Sequence, residues 1–144
     1  MYSYSRMPYY YETDQMKIVH HSNYIRWFEE ARIAYFDNIG YDFVKQERSG
    51  IVCPVLSVQA EYRHMIRFGD PIRIDIRLTE YNGVRYGFSY LVKHAKTGQI
   101  CCTGTSMHCL LDSDGKILKI RTEYPETHEL LCEALAMDMK YNFL

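Results

Sequence analysis

The strict alternation of apolar and polar residues after residue 70 constrains the fold more than any other feature. The even-numbered positions of this run are the apolar residues Ile72, Ile74, Ile76 and Leu78, and the odd-numbered positions are the polar residues Arg73, Asp75, Arg77 and Thr79. This period of two predicts a strand with one buried face. Asn82-Gly83 follows, and both residues tolerate positive φ, which favours a tight hairpin into a second strand. Short turns impose antiparallel neighbours, so the second half of the chain predicts an antiparallel sheet.

The remaining elements surround that hairpin. We expect strands over residues 3–12, 56–62, 84–92 and 100–111. A long helix should begin with Ser22 or Asn23 as its N-cap and end near Gly40. Its apolar face recurs at helical spacing and comprises Tyr24, Trp27, Phe28, Ala31, Ala34 and Tyr35. A short helix over 42–48 and a terminal helix from Pro125 complete an α+β domain spanning 1–144, with one sheet wrapped around one helix.

Charge and cysteine usage narrow the functional classes. The formal net charge is −1 over 144 residues, which argues against a dedicated nucleic-acid binder. The five cysteines lack CxxC or Cys/His metal spacing, so we expect reduced thiols and neither a disulfide framework nor a structural zinc site. The tyrosine-rich N-terminus has no signal-peptide pattern, and no apolar run is long enough to span a bilayer. These observations predict a cytoplasmic protein.

The loop before the long helix holds the candidate chemistry. Asp14, His20 and His21 lie where free backbone N–H groups and the positive end of the helix dipole are available. Such donors stabilise the oxyanion of acyl transfer, while a carboxylate attacks the carbonyl or activates water. Alternatively, Asp14 is a turn residue and the histidines are polar residues beside the cap. A metal site is disfavoured, because consecutive histidines usually point apart and no further ligand pattern follows.

Two segments resemble a known family. The segment YYETDQMKIVHHSNYIRWFEEAR is similar to the signature of the 4-hydroxybenzoyl-CoA thioesterase-like family, especially its small acyl-CoA thioesterases of the Tol–Pal-associated type. AEYRHMIRFGDPIRIDI resembles a second, weaker family segment. The resemblance implies the hot-dog fold, a long central helix wrapped by an antiparallel sheet. It also implies a homodimer or homotetramer with sites at the subunit interface.

Site residues follow from the same resemblance. It implies Asp14 as nucleophile or general base, His21 as the active-site histidine and Tyr10 as a lining tyrosine. The backbone N–H of Tyr24 would bind the thioester carbonyl. The chain departs from the family at Lys17, where glycine is usual, so lysine would narrow the site, require a different loop conformation or attract a phosphate.

The expected substrate is a small or medium acyl-CoA, with no cofactor and no metal. A basic cluster would hold the CoA phosphates, since arginine donates to phosphate in pairs; it comprises Arg63, His64, Arg67 and Arg85. The alternative for these residues is a solvated edge that discourages strand aggregation. Two alternatives for function stay open, namely hydrolysis of acyl groups from acyl carrier protein and a non-catalytic acyl-CoA-binding module.

Overall fold

The computed structural model describes residues 1–143 and contains five strands and four α-helices. The strands are β1 (Tyr2–Arg6), β2 (Val55–Tyr62), β3 (Ile72–Tyr81), β4 (Arg85–His94) and β5 (Ile100–Cys109). The helices are α1 (Ser22–Ile39), α2 (Phe43–Arg48), α3 (Ile120–Glu123) and α4 (Pro125–Asp138), with a short 3-10 helix at Tyr10–Glu12. The sheet order is β1-β3-β4-β5-β2, and every pair is antiparallel.

The core lies between α1 and one face of the sheet, as the two periodicities predicted. Trp27 and Phe28 of α1 are fully buried, and the Phe28 ring stacks on Tyr90 of β4 with centroids 4.2 Å apart. Opposite Phe28, β5 carries Gly104, where an added Cβ would lie 2.4 Å from the Phe28 ring. This glycine therefore lets the helix approach the sheet closely.

A chain of hydrogen bonds runs through this core. Tyr90 Oη lies 3.0 Å from Arg32 Nη1 and 2.6 Å from Ser106 Oγ, which lies 2.7 Å from His108 Nε2. Burial, with a smaller contribution from Arg32, lowers the pKa of His108 to about 4. His108 is therefore neutral at physiological pH and its Nε2 is paired, as a buried polar group requires.

Two local predictions about the N-terminal segment are wrong. The strand expected over residues 3–12 ends at Arg6, because the chain turns at Pro8, which has no N–H to donate, and enters the 3-10 helix. Neither Ser22 nor Asn23 is the N-cap, since His21 holds that position and makes no side-chain cap bond. Asn23 Nδ2 instead donates to the carbonyl of Glu12 at 2.9 Å.

Strand β2 forms one edge of the sheet and is largely exposed. It pairs with β5 on one side only, and Val55 and Leu56 are both about half exposed. The predicted alternation within β2 is present, but neither of its faces is fully covered within one chain. No helix within residues 1–143 is both long and apolar enough to cross a membrane.

Candidate active site

Asp14 lies at the start of a small hairpin that connects the 3-10 helix to α1. Its N–H donates to Ile18 O at 2.9 Å, and Lys17 N–H donates back to Asp14 O at 2.9 Å. Outside this turn, Thr13 pairs with Val19 and His20 N–H donates to Glu12 O at 2.8 Å. The loop is therefore a tight turn whose two flanking segments are hydrogen-bonded to each other.

Lys17 adopts the left-handed conformation, with φ of 62°, and is the one non-glycine residue within 1–143 with positive φ. A tight turn followed by a left-handed residue is a common hairpin closure, and glycine fits that position without strain. Lys17 thus stands in a backbone conformation that glycine adopts without a steric penalty. A β-carbon in this region costs about 1–2 kcal/mol.

The first turn of α1 faces the same loop. His20 Nδ1 accepts from Ser22 N–H at 3.2 Å and lies 2.8 Å from Ser22 Oγ. Tyr24 N–H reaches His21 O only at 3.4 Å, a long contact that leaves this donor weakly engaged. A weakly bonded N–H at a helix N-terminus is available to an oxygen that gains negative charge.

A cavity of about 340 Å³ lies between the hairpin, the start of α1 and the end of β2. It brings together five residues predicted from the sequence, namely Asp14, His21, Tyr24, Arg63 and His64. Its remaining lining is mainly apolar and consists of Met16, Ile18, Val19, Tyr62 and Met65. A mostly apolar cleft with a few polar groups is typical of small-molecule sites.

Within this cavity, the two carboxylate oxygens of Asp14 have different surroundings. Its Oδ1 accepts from Met16 N–H at 2.8 Å, which is the turn-stabilising role that the sequence left open. Its Oδ2 has no hydrogen-bond partner in the described part of the chain, and the residue is half-buried. One oxygen is thus fixed by the loop, and the other is free for chemistry.

The histidine and tyrosine rings at the start of α1 and the end of β2 contact one another. The rings of His20 and His21 lie 4.1 Å apart, so the expectation that they point apart is wrong. Tyr62 Oη donates to His21 O at 3.1 Å, and its ring meets that of Tyr24 edge-on at 5.1 Å. Burial raises the pKa of both Tyr24 and Tyr62, so both phenols are neutral at physiological pH. No three possible metal-binding side chains within residues 1–143 cluster as a site.

The other predicted site residues lie outside the cavity lining. Tyr10 is 77% exposed and packs edge-on against Phe68, while Lys17 and Arg67 are exposed near the hairpin. Arg67 pairs with Ile18 in an isolated bridge, which places it beside the loop.

Arg85 lies at the other end of the sheet. It pairs with Cys109, whereas Tyr62 pairs with Cys102 on the same strand. Seven residues of strand separate the two positions, roughly 23 Å. Within one chain, Arg85 therefore does not reach the cavity.

Sequence reasoning missed Tyr62 as a lining residue of the cavity and Glu12 as a buried carboxylate beside its loop. Glu12 is 4% exposed, although glutamate is rarely buried without partners. Tyr62 was predicted only as a strand residue. Its position at the end of β2, next to the basic cluster, was the available signal.

Comparison with known proteins identifies the family. A family model described as the thioesterase-like superfamily matches residues 10–136. The chain belongs to this superfamily. The match includes the hairpin, α1 and all strands after β1, so the predicted hot-dog fold and the thioester hydrolase class are both confirmed.

Individual relatives agree with this assignment. A Bacillus subtilis protein with the provisional name acyl-CoA thioesterase YneP is 29% identical over 83% of this chain and 86% of its own. An Aquifex aeolicus protein provisionally named an esterase is 33% identical over 85% of this chain and 94% of its own. The crystal structure of a DHNA-CoA thioesterase from Staphylococcus aureus superposes with a TM-score of 0.90 at 24% identity, covering 99% of this chain and 95% of that one.

Proposed function

We propose that this thioesterase-like protein hydrolyses the thioester of a small or medium acyl-CoA, with Asp14 as its catalytic carboxylate. The observation that carries the proposal is the shared cavity of Asp14, His21 and Tyr24 at the N-terminus of α1. The names of the relatives support acyl-CoA as the substrate class. We further propose the Tol–Pal-associated subgroup, on the likeness of the segment at residues 10–32 alone.

The free oxygen of Asp14 has two possible roles. As a nucleophile it attacks the thioester carbon, forms an acyl anhydride and expels CoA as a thiolate, after which water cleaves the anhydride. As a general base it takes a proton from water, which attacks the carbon directly; the C–S bond then breaks, and CoA leaves as a thiolate that takes up the proton. In both routes Tyr24 N–H faces the carbonyl oxygen as it becomes negative, and His21 orients the water or donates a proton.

Replacing Asp14 by Asn tests the catalytic assignment. We expect Asp14→Asn to keep the fold and the Met16 contact, and to lower kcat by at least about 10²-fold, the lower range for one acid–base group. His21→Ala should lower kcat/KM by up to about 10²-fold. The matched control is Asp42→Asn, because Asp42 also accepts a backbone N–H, at 3.0 Å, but caps α2 away from the cavity.

The substrate panel separates the alternatives. Undiminished hydrolysis of all acyl-CoA substrates by Asp14→Asn would overturn the assignment of Asp14. Faster turnover of acyl groups on acyl carrier protein than on CoA would favour the carrier-protein alternative. Tight acyl-CoA binding without turnover by the wild type would favour the non-catalytic module. Varying chain length and including aromatic acyl groups would define the acyl specificity.

We propose that the exposed basic residues at the cavity bind the CoA phosphates. Arg63 and His64 line the cavity, and Lys17 and Arg67 lie beside its loop. Arg63 makes only an exposed ion pair with Glu61 at 3.4 Å, which costs little to exchange for a phosphate. Arg63→Gln should raise KM for acyl-CoA with little change in kcat. Arg85 would contribute only if another subunit brought it to the site.

We also propose a homodimer or homotetramer, because β2 presents an unpaired edge with apolar side chains next to the cavity. Such an edge pairs readily with another chain unless it is blocked. Leu56→Lys should shift sedimentation toward the monomer, whereas Val44→Lys, at an equally exposed position on α2, should not. A monomeric wild type would refute this proposal.

The single domain and the cytoplasmic location stay predictions, the latter supported by five free cysteines.

A further inference from the structure

Glu12 stands out as a buried carboxylate that does not line the cavity. Its side chain accepts hydrogen bonds from Arg6 Nη1 at 2.8 and 2.9 Å, from Tyr9 N–H at 2.7 Å and from Trp27 Nε1 at 2.8 Å. Together these donors engage both carboxylate oxygens. A buried charge with this many donors is fully satisfied, as its burial requires.

The partners of Glu12 come from three different parts of the chain. Arg6 ends β1, Tyr9 precedes the 3-10 helix, and Trp27 lies on the buried face of α1. Arg6 is itself fixed, with its guanidinium 4.9 Å from the ring centroids of both Tyr9 and Trp27 and its Nε 3.1 Å from Glu30. The Glu12 side chain therefore joins β1 to α1.

The backbone of Glu12 extends this junction to the hairpin. Its carbonyl accepts from His20 N–H at 2.8 Å and from Asn23 Nδ2 at 2.9 Å, which fixes both ends of the loop against the first turn of α1. Asp14 follows two residues later. The position of its carboxylate relative to Tyr24 N–H thus depends on Glu12.

We infer that Glu12 is a positioning residue that holds the Asp14 loop against the N-terminus of α1. The inference rests on the proposed function. A buried ion pair adds little net stability compared with well-packed apolar residues, and its better-supported use is to specify one arrangement. Errors of about 1 Å in the placement of a catalytic group cost on the order of 10²-fold in rate. Glu12 therefore acts through Asp14 and does not touch the substrate.

Glu12→Gln in the full-length protein tests this role. Glutamine keeps the shape of the side chain, but its NH₂ group replaces one of the two accepting oxygens. That group faces hydrogen-bond donors, so at least one of the present hydrogen bonds is lost and the loop is no longer held in position. We expect kcat for acyl-CoA hydrolysis to fall by about 10- to 100-fold, while KM changes less than threefold. This split between kcat and KM is the readout of positioning, because the substrate contacts are kept while the carboxylate is misplaced.

Two further variants separate positioning from simple destabilisation. Leu131→Ala opens a cavity beneath α4 and should lower the Tm without touching the loop, so its kcat should equal that of the wild type while the protein is folded. Trp27→Phe removes one donor to Glu12 and should give a smaller fall in kcat than Glu12→Gln. It serves as the test variant if Glu12→Gln does not fold.

The outcomes are distinct. A wild-type kcat in Glu12→Gln, or in Trp27→Phe if that variant replaces it, overturns the positioning role while leaving the proposed function intact. Equal losses of kcat in Leu131→Ala and Glu12→Gln also overturn it, because stability alone then explains the effect. If Asp14→Asn hydrolyses acyl-CoA as fast as the wild type, the proposed catalytic role of Asp14 fails, and the positioning role fails with it.

Discussion

Lys17 occupies a backbone conformation that favours glycine, so replacing it should stabilise the protein. Lys17→Gly removes the left-handed strain of about 1–2 kcal/mol. It also adds backbone freedom to the unfolded chain, which costs about 0.4–1 kcal/mol. The Lys17 side chain is exposed and makes no hydrogen bond or ion pair within residues 1–143, so little else is lost. The balance is a gain of about 0.5–1 kcal/mol in the free energy of unfolding.

Denaturant unfolding at fixed protein concentration measures this gain, with a rise in Tm of about 2–3 °C as a second readout. Lys17→Ala keeps the strained β-carbon while removing the charge, so its stability should match the wild type. Met16→Gly is the matched backbone control, since Met16 is an exposed neighbour in the same turn without positive φ, and this change should destabilise. If Lys17→Gly is no more stable than Lys17→Ala, the strain argument is refuted.

Two other predictions concern the core. Gly104→Ala should cost about 1–3 kcal/mol in unfolding free energy, because the new Cβ meets Phe28 at 2.4 Å, whereas Thr105→Ala on the exposed face should change it by less than about 0.5 kcal/mol. A neutral Gly104→Ala would mean that α1 moves away from the sheet freely. The second prediction concerns His108, which is neutral in both states above its ordinary pKa of 6.5. As pH falls toward 5, only the unfolded state takes up the proton, so the unfolding free energy should drop by about 2 kcal/mol between pH 7 and pH 5. Chemical denaturation of His108→Gln at both pH values should show this drop removed, and an unchanged drop would exclude His108 as its source.

The sequence predicted those parts of the fold that depend on local patterns. Alternation in β3, the Asn82-Gly83 turn and the apolar stripe of α1 each reflect a requirement of nearby residues, and each is present. The short helix α2 is also present as predicted, and Asp42 is its N-cap, whose carboxylate accepts a hydrogen bond from Lys45 N–H. Local chemistry thus determines most element types and their order.

What could not be predicted depends on contacts between distant residues. The burial of Glu12 depends on Trp27, which lies fifteen positions beyond Glu12 along the chain. The close approach of the His20 and His21 rings depends on the backbone path into α1. The sequence placed Asp14 correctly in a loop at a helix N-terminus, but the hydrogen bonds between the two flanks of this loop could not be predicted from the sequence.

The hairpin that carries Asp14 is bonded on both flanks. One flank meets α1 through Asn23 Nδ2, which donates to Glu12 O at 2.9 Å, and the other meets the segment before β3 through Val19 N–H, which donates to Ile66 O at 2.7 Å. Opening the loop would break bonds on both sides, so substrate should enter without a closing lid. The loop then loses its conformational entropy once, when the chain folds, and does not lose it again in each catalytic cycle. Amide hydrogens of Val19 and His20 should accordingly exchange with solvent at rates close to those of the sheet, with or without bound CoA.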